Sequence, residues 1–156
     1  MGLLKKLLLV QALLIAGGTV FAWSKLIPQF QVFYAEYGTL FKFEGCVIPN
    51  PIATPCFWGS VAFVVALLWS LSLLINEFSA RSQWWLRNLL AFGVIFAATV
   101  VTFEFLQYYK VIGGPVISCS PGVFPLKTPC FTGLIFFLLS FVTSIFVVKQ
   151  SRKTSV

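Results

Sequence analysis

Hydrophobic positions gather into four long runs, separated by shorter stretches where charged residues, Pro and Gly collect. The runs are roughly Leu7–Trp23, Phe57–Ile75, Trp84–Phe105 and Cys130–Val148. Each is near the ~20 apolar residues that a helix needs to cross a bilayer. The first is short and contains Gln11 and the pair Gly17-Gly18. The pattern predicts an all-α integral membrane fold of four transmembrane helices, arranged as two tandem helical hairpins. The first hairpin takes residues 1–76, with an outer loop at about 24–55. A cytoplasmic link follows at 77–88, then a second hairpin at 89–148 with an outer loop at about 106–129, and a basic tail at 149–156.

Charge orients the hairpins. Lys5, Lys6, Arg81, Arg87, Lys149, Arg152 and Lys153 fall on one side of the four runs. Lys25, Lys42, Lys110 and Lys127 fall on the other, spread over longer loops. An excess of basic residues marks the cytoplasmic side. Both termini are therefore expected in the cytoplasm of a multi-pass cell-membrane protein, with the two long loops outside. The start "KKLLLVQALLIAGGTVFAW" also reads as a signal peptide cleaved after Ala22, which would leave three spans.

The chain writes one phrase twice, each time at the start of an apolar run: "NPIATPCFWG" at 50–59 and "FPLKTPCFTG" at 124–133. Thr54, Pro55, Cys56, Phe57 and Gly59 recur as Thr128, Pro129, Cys130, Phe131 and Gly133. Because both halves begin on the same side, the duplication implies a parallel internal repeat about an axis along the membrane normal. The phrase is built as a helix start. Proline holds the preceding threonine extended, where its hydroxyl can accept from an orphan N–H, and proline itself suits the first helical position. Gly59 and Gly133 are expected to admit a neighbouring helix.

All four cysteines, Cys46, Cys56, Cys119 and Cys130, lie in or at the edge of the outer loops, the side on which disulfides persist. The expected reading is two structural disulfides, Cys46–Cys56 and Cys119–Cys130, the simplest of three connectivities. Each closes a proline-rich loop and contributes roughly 3 kcal/mol in the chain-entropy model. The alternative is redox-active: a first-turn cysteine sits at the positive end of a helix dipole, which favours thiolate. The spacings lack any C-x-x-C, so no metal site is expected.

Two further stretches carry candidates. In "PQFQVFYAEYG", Pro28 is placed to start a short interfacial helix and Gly38 to end it, with Phe30, Phe33, Tyr34 and Tyr37 along one face. Glu104 lies near the outer end of the third run, an intramembrane ionisable residue and so a functional candidate, although hydration or pairing with Lys110 would also explain it. Gln11, Thr19, Ser70, Ser72, Thr99, Ser140 and Thr143 are expected to hydrogen-bond between helices.

Composition narrows the classes. Only 10% of residues are charged, far below the ~25% of soluble domains. The net charge of +7 is scattered in ones and twos, which fits bilayer orientation and not nucleic-acid binding. The absence of histidine removes the commonest general base and haem ligand.

Four spans, inward termini and two outer loops with a cysteine pair each resemble the layout of DsbB-like membrane thiol oxidoreductases. That resemblance implies electron transfer from a partner dithiol through cysteine pairs to a bound quinone. It carries over only Cys56 and Cys130, as first-turn cysteines, with Cys46 and Cys119 as their partners. The family centre is C-x-x-C, whereas this chain has C-x9-C and C-x10-C. The expected function is thus a non-enzymatic binding, scaffold or assembly protein without a cofactor. Its partners would be the lipid bilayer and a membrane or extracytoplasmic protein. The alternative is a quinone-linked thiol–disulfide oxidoreductase.

Overall fold

A computed structural model describes residues 2–44, 48–76, 78–113 and 122–154, with side chains as far as Arg152. It contains four helices: α1 (Leu3–Tyr37), α2 (Pro55–Ile75), α3 (Ala80–Tyr108) and α4 (Pro129–Thr154). Each is long and apolar enough to cross a membrane, as a multi-pass membrane protein requires. Among the described residues there is no strand. Large apolar side chains such as Leu13, Val20, Leu68 and Ile95 face outward. An exposed apolar surface of this kind suits lipid as solvent. Trp84 and Trp85 at one end of α3, and Tyr108 and Tyr109 at the other, supply interfacial aromatics.

Neighbouring helices run antiparallel in the ring order α1, α2, α3, α4, and α4 closes back onto α1. α1 therefore begins and α4 ends at one end of the bundle, and α2 and α4 begin at the other. The diagonal pair α1 and α3 make no backbone contact, whereas α2 and α4 touch across the centre.

That central contact has a regular spacing. Cys56, Phe63 and Ser70 of α2, and Cys130, Phe137 and Ser144 of α4, recur every seven residues and so share one helix face. Phe63 stacks on Phe137 with ring centroids 3.9 Å apart. Glycines make room for the stack: a Cβ on Gly18 of α1 would come within 2.5 Å of the Phe63 ring, and one on Gly93 of α3 within 2.5 Å of Phe137. Burial matches between halves as well. Leu8, Gln11, Ile15, Gly18 and Leu26 are buried, and so are Gln83, Leu86, Leu90, Gly93 and Val101, each 75 positions on.

Polar groups are few and deep. Gln83 Nε2 donates to Gln11 Oε1 at 3.0 Å, joining α1 to α3 across the core. Trp69 Nε1 donates to Ser82 Oγ at 2.7 Å between α2 and α3. The threonines expected to link helices do otherwise. Thr19, Thr99 and Thr143 each donate to the carbonyl four residues back in their own helix. In apolar surroundings the helix's own carbonyl four residues back supplies the acceptor.

Three boundaries differ from expectation. The separate interfacial helix does not exist: α1 runs unbroken through Pro28 to Tyr37, and the irregular segment starts at Gly38, not near 24. Proline inside a helix removes one backbone bond, and a long helix tolerates that where neighbouring helices hold it. Gly38 does end the helix, with φ 67 and its N–H bonded to the Tyr34 carbonyl. The link is shorter than 77–88 because α3 starts at Ala80, capped by Ser79. The expected tail is helical as far as Thr154.

Candidate functional site

The twice-written phrase forms the corner of each hairpin, and the two corners meet. A short 3₁₀ turn precedes each helix, Pro51–Ala53 before α2 and Pro125–Lys127 before α4. Thr54 and Thr128 are extended, at φ −83, ψ 148 and φ −74, ψ 151, and a proline then opens each helix. Both cysteines fall in the first turn, and Cys56 Sγ lies 3.3 Å from Cys130 Sγ. A disulfide has sulfurs ~2.05 Å apart, so these two are in contact and not bonded to each other. Cys46 and Cys119, and with them the expected pairings, lie outside the described residues.

The threonines differ from each other. Thr54 Oγ1 donates to the Pro51 carbonyl at 2.6 Å and caps nothing, contrary to the expected N-cap role. The 3₁₀ turn offers that carbonyl closer than any orphan N–H. Thr128 Oγ1 lies 2.7 Å from the Pro125 carbonyl and 2.7 Å from Glu104 Oε2, and it accepts a long bond from the Phe131 N–H at 3.4 Å. Glu104 is only 4% exposed. It is not at a hydrated surface, because the third helix turns this side chain inward to the start of α4.

Beneath the cysteines a cleft of about 60 Å³ opens between the four helices. Cys56, Cys130, Pro55, Pro129, Gly59 and Gly133 form one part of its wall. A Cβ on Gly59 or Gly133 would meet nothing within 4 Å. These glycines therefore do not admit a helix, as expected from sequence; they keep side chains out of the cleft. Phe63 and Phe137 close it below, half-buried Phe21 and Phe96 line its sides, and Lys25 and Gln29 of α1 bring the polar groups. Among the described residues no three His, Cys, Asp or Glu side chains gather as a metal would require.

Sequence reasoning singled out Cys56, Cys130, the phrase and Glu104, and the fold brings these to one end of the bundle. It missed Asn50, which is buried and organises the first corner. Asn50 Nδ2 donates to the Leu40 and Lys42 carbonyls at 2.8 and 2.9 Å, and Oδ1 accepts from the Ile52 N–H. Its counterpart in the second copy is Phe124, so the repeat itself hid it. It also missed Phe63 and Phe137, although both stand seven residues after their cysteines. The chain matches no protein-family model, no curated protein and no solved structure.

Proposed function

We propose that this chain is a membrane thiol–disulfide exchange protein, with Cys56 and Cys130 as the central pair and a quinone as electron acceptor. One observation carries the reading: sulfurs 74 positions apart in sequence stand 3.3 Å from each other at the starts of two helices. Two loop staples acting alone would not need their helix-end cysteines to meet, so a scaffold does not ask for this contact. Exchange does, because a thiolate attacks a disulfide sulfur along a short approach.

In this scheme a partner dithiol reduces a loop disulfide and becomes oxidised. The Cys130 thiolate then attacks Cys56 Sγ of a Cys46–Cys56 disulfide, a Cys56–Cys130 bond forms, and Cys46 leaves as a thiolate that takes a proton. A second dithiol then reduces that bond, and oxidation of the resulting central dithiol sends two electrons and two protons to a quinone, giving the quinol and re-forming Cys56–Cys130. The cleft supports this ligand class by its aromatic walls, two side-chain-free positions and adjoining thiols. At about 60 Å³ it is smaller than the ~150 Å³ cavity that holds benzene, so a ring enters as Phe21 and Phe96 swing aside.

The same reading places the cysteine end on the oxidising, extracytoplasmic face and both termini in the cytoplasm. It takes the two halves as a parallel repeat, which is supported by burial recurring at a 75-residue spacing.

The test is disulfide mapping of purified protein with thiols blocked at a series of reducing potentials, followed by reduction of a short-chain ubiquinone in the presence of a dithiol. A Cys56–Cys130 species at intermediate potentials, with quinone reduction lost in Cys130→Ser, is expected. Only Cys46–Cys56 and Cys119–Cys130, resistant below about −300 mV, would leave the scaffold reading in its place.

A further inference from the structure

Charge is divided unevenly along the bundle. Lys5 and Lys6 of α1, Arg81 and Arg87 of α3, and Lys149 and Arg152 of α4 all stand toward the end away from Cys56 and Cys130. The described carboxylates stand toward the other end: Glu36 in the last turn of α1, Glu44 beyond it, and Glu104 late in α3. The fourth acid, Glu77, belongs to the link at the basic end and lies outside the described residues.

At that basic end a groove of about 390 Å³ opens between the start of α1 and the end of α2. Leu4 and Leu8 line it from α1, Leu73 and Leu74 from α2, and Phe78 of the link adds a ring. Leu8 and Leu73 are buried, whereas Ile75 on the same lining is 80% exposed, so the groove leads from the core to the apolar outer surface. Lys5 and Asn76 bring the polar groups. Asn76 Nδ2 gives one of its two hydrogens to Ser72 Oγ at 3.1 Å, and the other suits a headgroup oxygen.

An occupant has two demands to meet. Apolar walls that open onto a lipid-facing surface take an acyl chain, which a free phosphate does not have. A surplus of cations over acids takes a headgroup of net negative charge, which a zwitterionic lipid does not carry. A second copy of this chain, seated in the same orientation, would bring the same basic end and be repelled.

We infer that this groove binds one anionic phospholipid, its acyl chain between α1 and α2 and its phosphate on Lys5 and Asn76. Anionic lipids give the cytoplasmic leaflet its negative surface, and the orientation proposed above puts this end there. The binding itself depends neither on that orientation nor on the exchange reading.

The test uses purified full-length protein in nonionic detergent, titrated with phosphatidylglycerol or phosphatidylcholine. Native mass spectrometry reads the lipid retained per chain. One phosphatidylglycerol should be held at concentrations where phosphatidylcholine is not. Lys5→Gln should weaken retention about fivefold, the effect of one cation near an anionic lipid surface, and Lys5→Arg should preserve it. Lys6→Gln removes the same charge one residue away, outside the groove lining, and should weaken retention less. Leu74→Trp fills the groove without changing its charge and should abolish retention; Leu4→Trp does so from the other wall should the first variant fail to fold. Equal retention of the two lipids overturns the inference. So do equal losses in Lys5→Gln and Lys6→Gln, which would make the basic end a diffuse field, and full retention in both tryptophan variants. Displacement of the lipid by inorganic phosphate alone would also overturn it, by assigning the groove to a free anion.

Discussion

Thr54 and Thr128 occupy the same place in two copies of one phrase, and their neighbours make them different residues. Thr54 satisfies its hydroxyl on the 3₁₀ turn before it. Thr128 is shared between that same interaction and the buried carboxyl of Glu104. Removing a partner from a buried polar group costs about 1–3 kcal/mol, more when the group is charged. Thr128→Val should therefore lower the thermal midpoint in detergent more than Thr54→Val does, although each loses one hydroxyl. Equal losses would mean that the Glu104 contact contributes nothing to stability. Cys56 and Cys130 show the same dependence on surroundings. Either alone is a first-turn cysteine; only the fold brings their sulfurs to 3.3 Å. In a Cys130→Ser variant the disulfide that holds Cys56 has lost its neighbouring thiol. An added single-thiol peptide should exchange into it, releasing the other cysteine as a thiol. The mixed disulfide should be visible as a mass shift under non-reducing conditions.

At the scale of the helix, glycine serves two opposite purposes here. Gly18 and Gly93 are pressed by the rings of Phe63 and Phe137, whereas Gly59 and Gly133 face open space in the cleft. An added methyl at Gly18 or Gly93 must displace a ring held in a stack, a kind of overpacking that costs typically about 1–3 kcal/mol. The same change at Gly59 or Gly133 should raise helix stability by up to about 1 kcal/mol, because alanine is the better helix former. Thermal unfolding of the four single alanine variants checks the sign at each position. Gly59→Ala and Gly133→Ala should in addition slow quinone reduction, since their methyl groups occupy the cleft. A stabilised variant with reduced turnover separates ligand blocking from loss of fold. α1 shows how an element outruns its local signals: Pro28 reads as a start, yet 35 residues hold as one helix because packing along α2 and α4 outweighs one missing bond.

Across the whole molecule, the bundle is apolar outside as well as inside. A few polar side chains, among them Gln11, Gln83, Ser70, Ser140 and Glu104, are buried in the core, and large apolar side chains face outward. Placing a lysine on that surface at mid-helix, as in Leu68→Lys or Ile95→Lys, costs about 2.5–3.5 kcal/mol on the insertion scale. Such variants should be recovered in reduced amount from the membrane fraction, while a lysine at exposed Ser24, nearer the cysteine end, should not. Normal recovery of all three would remove the lipid-facing assignment of α2 and α3.

Four apolar helices, their approximate limits and the helix starts at Pro55 and Pro129 were legible in the sequence, because length, hydropathy and proline placement act locally. So was the importance of the repeated phrase. The end of α1 was not, since Pro28 and the aromatic spacing after it describe a break that tertiary packing overrides. Nor was the purpose of Gly59 and Gly133, for a missing side chain signifies close approach or open space according to what stands opposite. The separation of Cys56 from Cys130, the Phe63–Phe137 stack and the inward turn of Glu104 belong to the tertiary structure alone. They depend on which helix faces are brought together across the centre, and no local rule relates residues 74 positions apart. The sequence by itself determined that this chain forms apolar helices with cysteines at two of their starts; the packing of α2 against α4 decided that those cysteines meet.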